Sequence, residues 1–161
     1  MGVLDGKVAV VTGATSGIGE KIAEVFVEQG AIVVAAGRRA TEGAILQQRL
    51  GLTFIRSDVS KDENVAALFE ETLRRFGRVD CLVNNAGATA PVTPLAELDM
   101  EVFDRVMSVN IRGLVACMKH AAAAMIPRGQ GSIINISRVA GTRGGFTGYP
   151  CFFSGDSAAS S

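Results

Sequence analysis

The sequence predicts an α/β fold, in which a parallel sheet is covered by helices on both faces. Two observations support this prediction. Short runs of Val, Ile and Ala alternate with longer segments whose apolar residues repeat at helical spacing. Glycines stand where several of these segments end, which is typical of junctions between strands and helices. Alternation at these spacings is typical of parallel βαβ units with right-handed crossovers.

Five segments are predicted as strands. The first two are rich in β-branched residues and are expected to be buried on both faces of the sheet. The fourth runs directly into a turn. In chain order the five are KVAVVTG at 7–13, AIVVAAG at 31–37, LTFIRSD at 52–58, VDCLVNNAG at 79–87 and GSIINIS at 131–137.

Helices are predicted between these strands, from apolar residues at helical spacing. Gly30 and Gly77 suit the C-terminal ends of the first and third helices. The third helix is clearly amphipathic, with a predicted buried stripe of Val65, Leu68, Phe69, Thr72 and Leu73. The five predicted helices span 18–29, 41–50, 61–76, 95–108 and 111–125.

The composition excludes several classes of function. A chain of 161 residues is long enough for one domain with a real core. Its 16 basic and 16 acidic side chains give no net charge, which argues against nucleic acid or an anionic membrane as the main partner. No apolar run reaches the roughly 18 residues of a bilayer span, and the N-terminus lacks a signal-peptide pattern. With three dispersed cysteines and one histidine, we predict free thiols, no metal site and a cytoplasmic location.

The strongest motif is TGATSGIG at 12–19, between the first predicted strand and helix. Glycines there allow a tight turn and a close approach of backbone N–H groups to phosphate oxygens, beside a helix N-terminus. An ordinary glycine-rich turn is the alternative interpretation. The candidate cofactor-binding residues of this motif are Gly13, Thr15, Ser16, Gly17, Ile18 and Gly19.

Several further motifs follow in a characteristic order. They are SDVS at 57–60, NNAG at 84–87, VN at 109–110 and GSIINIS at 131–137. With TGATSGIG, these motifs make the chain resemble the short-chain dehydrogenase/reductases, from its N-terminus to about Pro150. The resemblance implies a Rossmann-like, doubly wound sheet with strand order 3-2-1-4-5. It also implies hydride transfer between a nicotinamide dinucleotide and a small alcohol or ketone.

The resemblance assigns further site residues. Asp58 and Val59 would meet the adenine ring, and Asn85, Ala86 and Gly87 would lie beside the cofactor. Each of these assignments has an alternative; the neighbouring asparagines, for example, could simply tie down a turn.

Asn110 matches the family's active-site asparagine, which helps to hold a water in a proton relay. The alternative interpretation is a buried amide that satisfies backbone groups.

The choice of cofactor depends on GRR at 37–39, at the end of the second predicted strand. An acidic residue there would bind the ribose 2′-hydroxyl of NAD. Arg38 and Arg39 instead suit a 2′-phosphate, because guanidinium groups match phosphate geometry. NADP is therefore predicted, with NAD as the alternative cofactor and solvated loop charges as the alternative role of the arginines.

Catalysis in the family requires Ser, Tyr and Lys. The resemblance places these roles at Arg138, Cys151 and Gly155, so all three positions are predicted to be replaced. Ser137 and Tyr149 are the weak candidate substitutes. No lysine follows Lys119 to lower the pKa of a tyrosine. His120 is expected to be packed or solvated, and Cys151 to be inert.

The family likeness ends abruptly near Pro150. Residues 1–150 are therefore predicted as the NAD(P)-binding domain, and 151–161 as an atypical, disordered tail. The chain is expected to be truncated, with an exposed, aggregation-prone edge at its fifth strand. Three interpretations remain open: a cofactor-binding but catalytically impaired oxidoreductase, a non-catalytic partner that forms homo- or hetero-oligomers through the helix at 111–125, or a product without independent function.

Overall fold

The computed structural model describes residues 2–91 and 93–137, which form a five-stranded parallel sheet flanked by helices. The strand order is β3-β2-β1-β4-β5, which confirms the prediction. Each neighbouring pair runs parallel. The strands are β1 (Val8–Thr12), β2 (Ile32–Gly37), β3 (Thr53–Arg56), β4 (Cys81–Asn84) and β5 (Ser132–Asn135).

The α-helices occupy the connections between the strands. They are α1 (Gly17–Glu28), α2 (Ala40–Leu50), α3 (Asp62–Phe76), α4 (Met100–Met107) and α5 (Leu114–Met125). Within the described residues, no helix has both the length and the apolar character needed to cross a bilayer. The same residues contain no group of three His, Cys, Asp or Glu side chains arranged to hold a metal ion.

Two parts of the helix prediction are wrong. The helix predicted at 95–108 starts only at Met100, because the Asp99 side chain caps it by accepting a hydrogen bond from the Glu101 N–H at 2.9 Å. The preceding Leu95–Glu97 forms a separate 3₁₀ turn. The predicted break between 108 and 111 is also absent, since the π-helical stretch Ser108–Gly113 joins α4 to α5.

The core lies on both faces of the sheet, as expected for β1 and β2. Every residue of β1 is buried, and alternate side chains of the central strands enter two separate clusters. Val10, Val34 and Leu82 pack on the face covered by α3 and α5. On the opposite face, Ala9 and Val11 pack under α1 and α2.

Leu73 does not belong to the buried stripe predicted for α3. It is 37% exposed, whereas Val65, Leu68, Phe69 and Thr72 are at most 2% exposed. At 100° per residue, Leu73 lies about 80° around the helix from Val65, outside the arc that the other four share. Apolar spacing alone therefore made the predicted stripe too wide.

Strand β5 forms an apolar edge of the sheet. Its one partner within the described residues is β4, and the isoleucines at 133, 134 and 136 are 37–41% exposed. Within the described residues, β5 is therefore an exposed edge strand, as the sequence predicts. Such a strand presents unpaired backbone groups beside apolar side chains.

Candidate functional site

A cleft of about 350 Å³ opens beyond the carboxyl ends of the strands. Its walls come from the segments that follow the first four strands, together with one residue of the π-helical stretch. Every cofactor-binding residue predicted from the sequence lines it except Ile18 and Gly19. The lining residues are Gly13, Thr15, Ser16, Gly17, Ala36, Gly37, Arg38, Arg39, Ser57, Asp58, Val59, Asn85, Ala86, Gly87 and Val109.

The cleft lies where the winding of the chain reverses. From β1 the chain builds outward through β2 to β3, and it then returns to place β4 on the other side of β1. The loops after β1 and β4 therefore diverge to opposite faces and leave a crevice between them. Ligands of open α/β sheets bind at this kind of switch point.

The glycines of the loop after β1 allow its tight turn and its close packing against the loop after β4. They also leave its backbone open to the cleft. Gly13 and Gly17 have φ values of 65° and 57°, in the left-handed region that favours glycine. A Cβ on Gly13 would lie 2.8 Å from the Ala86 Cα. A Cβ on Gly19 would collide with the Gly13 carbonyl and the Asn85 side-chain amide. Sequence reasoning attributed these glycines to the tight turn and to the approach of a phosphate, and it missed their packing role.

Thr12 and Asn85 bind the loop after β1 to the loop after β4. The Thr12 Oγ1 accepts hydrogen bonds from the N–H groups of Asn85 and Ala86, both at 3.1 Å. The Asn85 Nδ2 donates to the carbonyls of Thr12 and Gly13, at 3.2 and 3.1 Å. Asn85 thus ties the two loops together, and its predicted place beside a cofactor stays a prediction. Its Oδ1 is buried and accepts no hydrogen bond from the described residues, although Asn85 lines the cleft.

Sequence reasoning missed Thr12 as a site residue. One signal was available, because Thr12 is the polar residue that ends the apolar strand β1, and its hydroxyl is buried. Ser57 was missed as well; its Oγ donates to the Asn64 carbonyl at 3.3 Å and so holds the segment after β3 against α3. The Asn84 Nδ2 donates to the Asn135 Oδ1 at 2.9 Å and joins β4 to β5.

Asp58 carries a negative charge at the rim of the cleft. Its Oδ1 accepts hydrogen bonds from the N–H and the hydroxyl of Ser60, at 3.1 and 2.8 Å. Desolvation acts to raise the pKa of Asp58, but the Ser60 hydrogen bonds and the charges of Arg38 and Lys61 outweigh it and lower that pKa. The neighbouring Val59 is 8% exposed and packs in the core.

The two arginines after β2 differ in their contacts. Arg39 Nη2 donates to the Thr15 carbonyl at 3.1 Å and to its hydroxyl at 3.2 Å, and Arg39 Nη1 lies 3.6 Å from the Glu42 carboxylate. The Arg38 guanidinium makes no hydrogen bond or ion pair with any described residue. The Arg38 carbonyl, however, accepts a hydrogen bond from the Arg56 Nε at 3.2 Å.

Asn110 holds the segment after β4 in place. Its Oδ1 accepts from the Ala88 N–H at 2.7 Å, and its Nδ2 donates to the Ala88 carbonyl at 2.9 Å. Both ends of the half-buried side-chain amide are therefore used on one backbone residue, and the catalytic role of Asn110 stays a prediction. Asn110 lies in the π-helical stretch, a conformation that is frequent at functional sites.

Of the remaining catalytic candidates, the described residues include only Ser137. Ser137 follows β5 and is exposed. The predicted positions at Arg138, Tyr149, Cys151 and Gly155 lie outside the described residues, as does the tail at 151–161.

His120 and the two described thiols are packed within the fold. The His120 ring stacks on Phe69 with 6.0 Å between ring centroids, and its Nε2 lies 3.4 Å from the Asp62 carboxylate, so it is packed as predicted. Burial raises the pKa of the Cys117 thiol to about 12 and also raises the pKa of Cys81. These thiols are protonated at neutral pH and are therefore poor nucleophiles.

Comparisons with known proteins agree with this architecture. A family model for short chain dehydrogenases matches residues 7–152. L-fucose dehydrogenase of Oryctolagus cuniculus is 44% identical over 146 residues, which are 90% of this chain and 51% of the relative. (+)-Borneol dehydrogenase 2 of Salvia officinalis is 43% identical over 145 residues, 87% of this chain and 51% of the relative.

A bacterial relative, cis-4-hydroxycyclohexanecarboxylate dehydrogenase of Sinomonas cyclohexanicum, is 39% identical over 142 residues, 86% of this chain and 57% of the relative. The chain thus spans about half the length of these curated relatives. The family match extends over most of the sequence, and the parallel sheet has its crevice at the switch point that dinucleotide-binding folds use. The chain therefore belongs to the short-chain dehydrogenases, a family of oxidoreductases.

Proposed function

We propose that this chain binds NADP in the cleft, as the dinucleotide-binding part of an oxidoreductase that acts on an alcohol or ketone. The observation that supports this choice of cofactor is the guanidinium of Arg38. It stands at the cleft after β2, where NAD-binding proteins of this architecture place a carboxylate, and it forms no ion pair or hydrogen bond with the described residues. A planar guanidinium can bind a 2′-phosphate through two parallel hydrogen bonds.

The cleft offers a suitable group for each part of the dinucleotide. The first turn of α1 has backbone N–H groups without intrahelical partners, next to the glycine loop, and they suit the pyrophosphate. Asp58 and Val59 would flank the adenine, and Asn85 to Gly87 would lie beside the nicotinamide half. The unused, buried Asn85 Oδ1 supports this fit, because a buried acceptor without a donor is costly.

When bound, the cofactor would give or accept the hydride that is transferred between it and an alcohol or ketone. This chain's own residues bind and orient it: the glycine loop positions the pyrophosphate, and Asn110 fixes the Ala88 backbone beside the cleft. The replacement of Ser, Tyr and Lys by Arg138, Cys151 and Gly155 leads us to propose that the chain binds cofactor without reducing a ketone. A cytoplasmic location and a substrate of the alcohol or ketone class stay predictions from the sequence.

A second candidate function is that of a non-catalytic subunit. Ile111 and Val115 lie one helical turn apart at the start of the helix predicted at 111–125, and each is 52% exposed. An apolar pair on the outer face of this helix suits pairing with another subunit, either a second copy or a longer relative. Co-expression with such a relative would test this candidate: a complex that survives size-exclusion chromatography supports it, and two separate elution peaks contradict it.

Thermal unfolding in the presence of NADPH or NADH tests the proposed cofactor. We expect NADPH to raise the unfolding temperature, because a ligand at 100 times its Kd adds ~2.7 kcal/mol to the folded state. NADH at the same concentration should give a smaller rise. Arg38→Ala should abolish this difference, whereas Arg105→Ala, which removes an exposed charge outside the cleft lining, should not. Equal shifts for NADPH and NADH in the unaltered chain would contradict the choice of NADP.

A further inference from the structure

The two adjacent arginines at the cleft are engaged in different ways, although a phosphate could attract either. We infer that Arg39 is a positioning residue, which holds the glycine loop through Thr15 and takes no direct part in the discrimination between NADPH and NADH that the proposed function assigns to Arg38. This inference rests on the proposed function for its cofactor.

All three guanidinium nitrogens of Arg39 already face oxygen atoms. Nε lies 3.3 Å from the Thr15 Oγ1, Nη2 lies 3.1 Å from the Thr15 carbonyl oxygen, and Nη1 lies 3.6 Å from the Glu42 carboxylate. A 2′-phosphate at Arg39 would have to displace these oxygens, and it would also approach the negative charge of Glu42. Both effects weaken a phosphate contact.

Thr15 is held on a second side by the end of β2. A Cβ on Gly37 would lie 3.0 Å from the Thr15 Cγ2 and 3.3 Å from its Oγ1, so the threonine packs directly on the glycine backbone. One residue earlier, the Ala14 N–H donates to the Ala36 carbonyl at 3.2 Å. The glycine loop is therefore attached to β2 by a backbone hydrogen bond, and Arg39 completes the attachment from the other side of Thr15.

Arg38 is arranged in the opposite way. Its backbone is fixed, because its carbonyl accepts from the Arg56 Nε, while its guanidinium is free of hydrogen bonds and ion pairs within the described residues. Its positive charge acts at the cleft, where it helps to lower the pKa of Asp58. An unused guanidinium at the cleft can bind a phosphate without first giving up another hydrogen bond.

Equilibrium titration of Arg38→Ala and Arg39→Ala with NADPH and NADH separates the two roles. We expect Arg39→Ala to weaken both cofactors by the same factor, about three- to tenfold, because it loosens the loop that both would use. Arg38→Ala should weaken NADPH at least tenfold and leave NADH nearly unchanged. Selective loss of NADPH binding in Arg39→Ala would overturn the inference, because a direct phosphate ligand would behave in this way.

Amide hydrogen exchange in the ligand-free protein tests the same contact independently of binding. Exchange of the loop amides at 14–19 should be faster in Arg39→Ala than in the unaltered chain, and unchanged in Arg38→Ala. Unchanged exchange in Arg39→Ala would overturn the inference even if the proposed cofactor is right. If the unaltered chain binds neither cofactor, the proposed function fails, and the exchange experiment still decides whether Arg39 positions the loop.

Discussion

Replacement of Asp80 by alanine is expected to lower the free energy of unfolding by about 2 kcal/mol, because it leaves the Val8 N–H without its acceptor and two partly exposed arginines without their counter-charge. The Asp80 side chain is 8% exposed and lies at the amino ends of β1, β4 and β5. It accepts a hydrogen bond from the Val8 N–H at 2.8 Å and one from the Arg128 Nη1 at 3.0 Å. Its carboxylate also lies 3.0 Å from the Arg78 Nε.

The contact with Arg78 is an attraction between charges rather than a good hydrogen bond. The Arg78 Nε is close to the carboxylate, but it is buried and has no hydrogen bond of acceptable geometry within the described residues. Loss of Asp80 would leave this nitrogen without a counter-ion. Urea denaturation measures the cost, and Glu24→Ala is the matched control, since it removes an exposed ion pair with Lys21 that should contribute at most about 1 kcal/mol. Equal losses in the two variants would contradict the role of Asp80.

The contribution of Asp80 should also depend on pH. Burial acts to raise its pKa, but the Val8 hydrogen bond and the charges of Arg128 and Arg78 outweigh burial and lower the pKa in the folded state. A carboxylate with a lowered folded pKa stabilises the fold above its unfolded pKa of about 4, and this stabilisation is lost as the pH falls through the folded value.

Paired denaturation curves of the unaltered chain and Asp80→Asn should therefore converge as the pH falls below about 4. A difference between them that stays constant from pH 7 to pH 3 would contradict this interpretation of Asp80.

Substitution of Gly19 by alanine is expected to abolish cofactor binding and to lower the free energy of unfolding by about 2 kcal/mol. The added Cβ would meet the Gly13 carbonyl, a backbone atom, and the Asn85 amide that bridges the two loops. The loop would have to move away from α1, and the phosphate-binding surface would be lost with it. Isothermal titration with NADPH, together with urea denaturation, measures the two effects.

Gly51→Ala is the matched control for this substitution. Gly51 has a φ of 68° but nothing within 4 Å of its added Cβ, so alanine there introduces backbone strain without a collision. This control should lose about 1 kcal/mol of stability and keep its affinity for NADPH. If Gly19→Ala binds NADPH as tightly as the control does, the proposed role of the loop is wrong.

The local sequence pattern was sufficient to predict the central strands of this fold. Strands β1 and β2 were predictable because they are buried on both faces and so read as continuous apolar runs. The strand order came from the resemblance of spaced motifs, since composition cannot tell which strands become neighbours. The edge position of β5 followed from that order.

Features that depend on tertiary contacts were not predictable. Nothing local in the sequence indicates that Arg39 binds Thr15, 24 residues earlier, or that an added Cβ on Gly19 would collide with Asn85. The capped start of α4 at Asp99 had a local signal, an N-cap aspartate, but the apolar spacing on both sides of it hid the boundary. The sequence was therefore sufficient to predict which loop residues line the cleft, but not the contacts that hold these loops in place.

The π-helical stretch between α4 and α5 has a geometric consequence for the whole segment from Met100 to Met125. Its wider turn holds the equivalent of one extra residue. The stretch therefore determines by what angle α5 is rotated about the helix axis relative to α4. Asn110 holds Ala88 from within this stretch, and Gly113 ends it against the Val59 backbone. A regular α-helix of the same six residues would turn α5 by about 100° from its present position, because the wider π turn advances less per residue. The buried face of α5 would then rotate away from the sheet, so the π geometry of this stretch determines how α5 packs on the sheet.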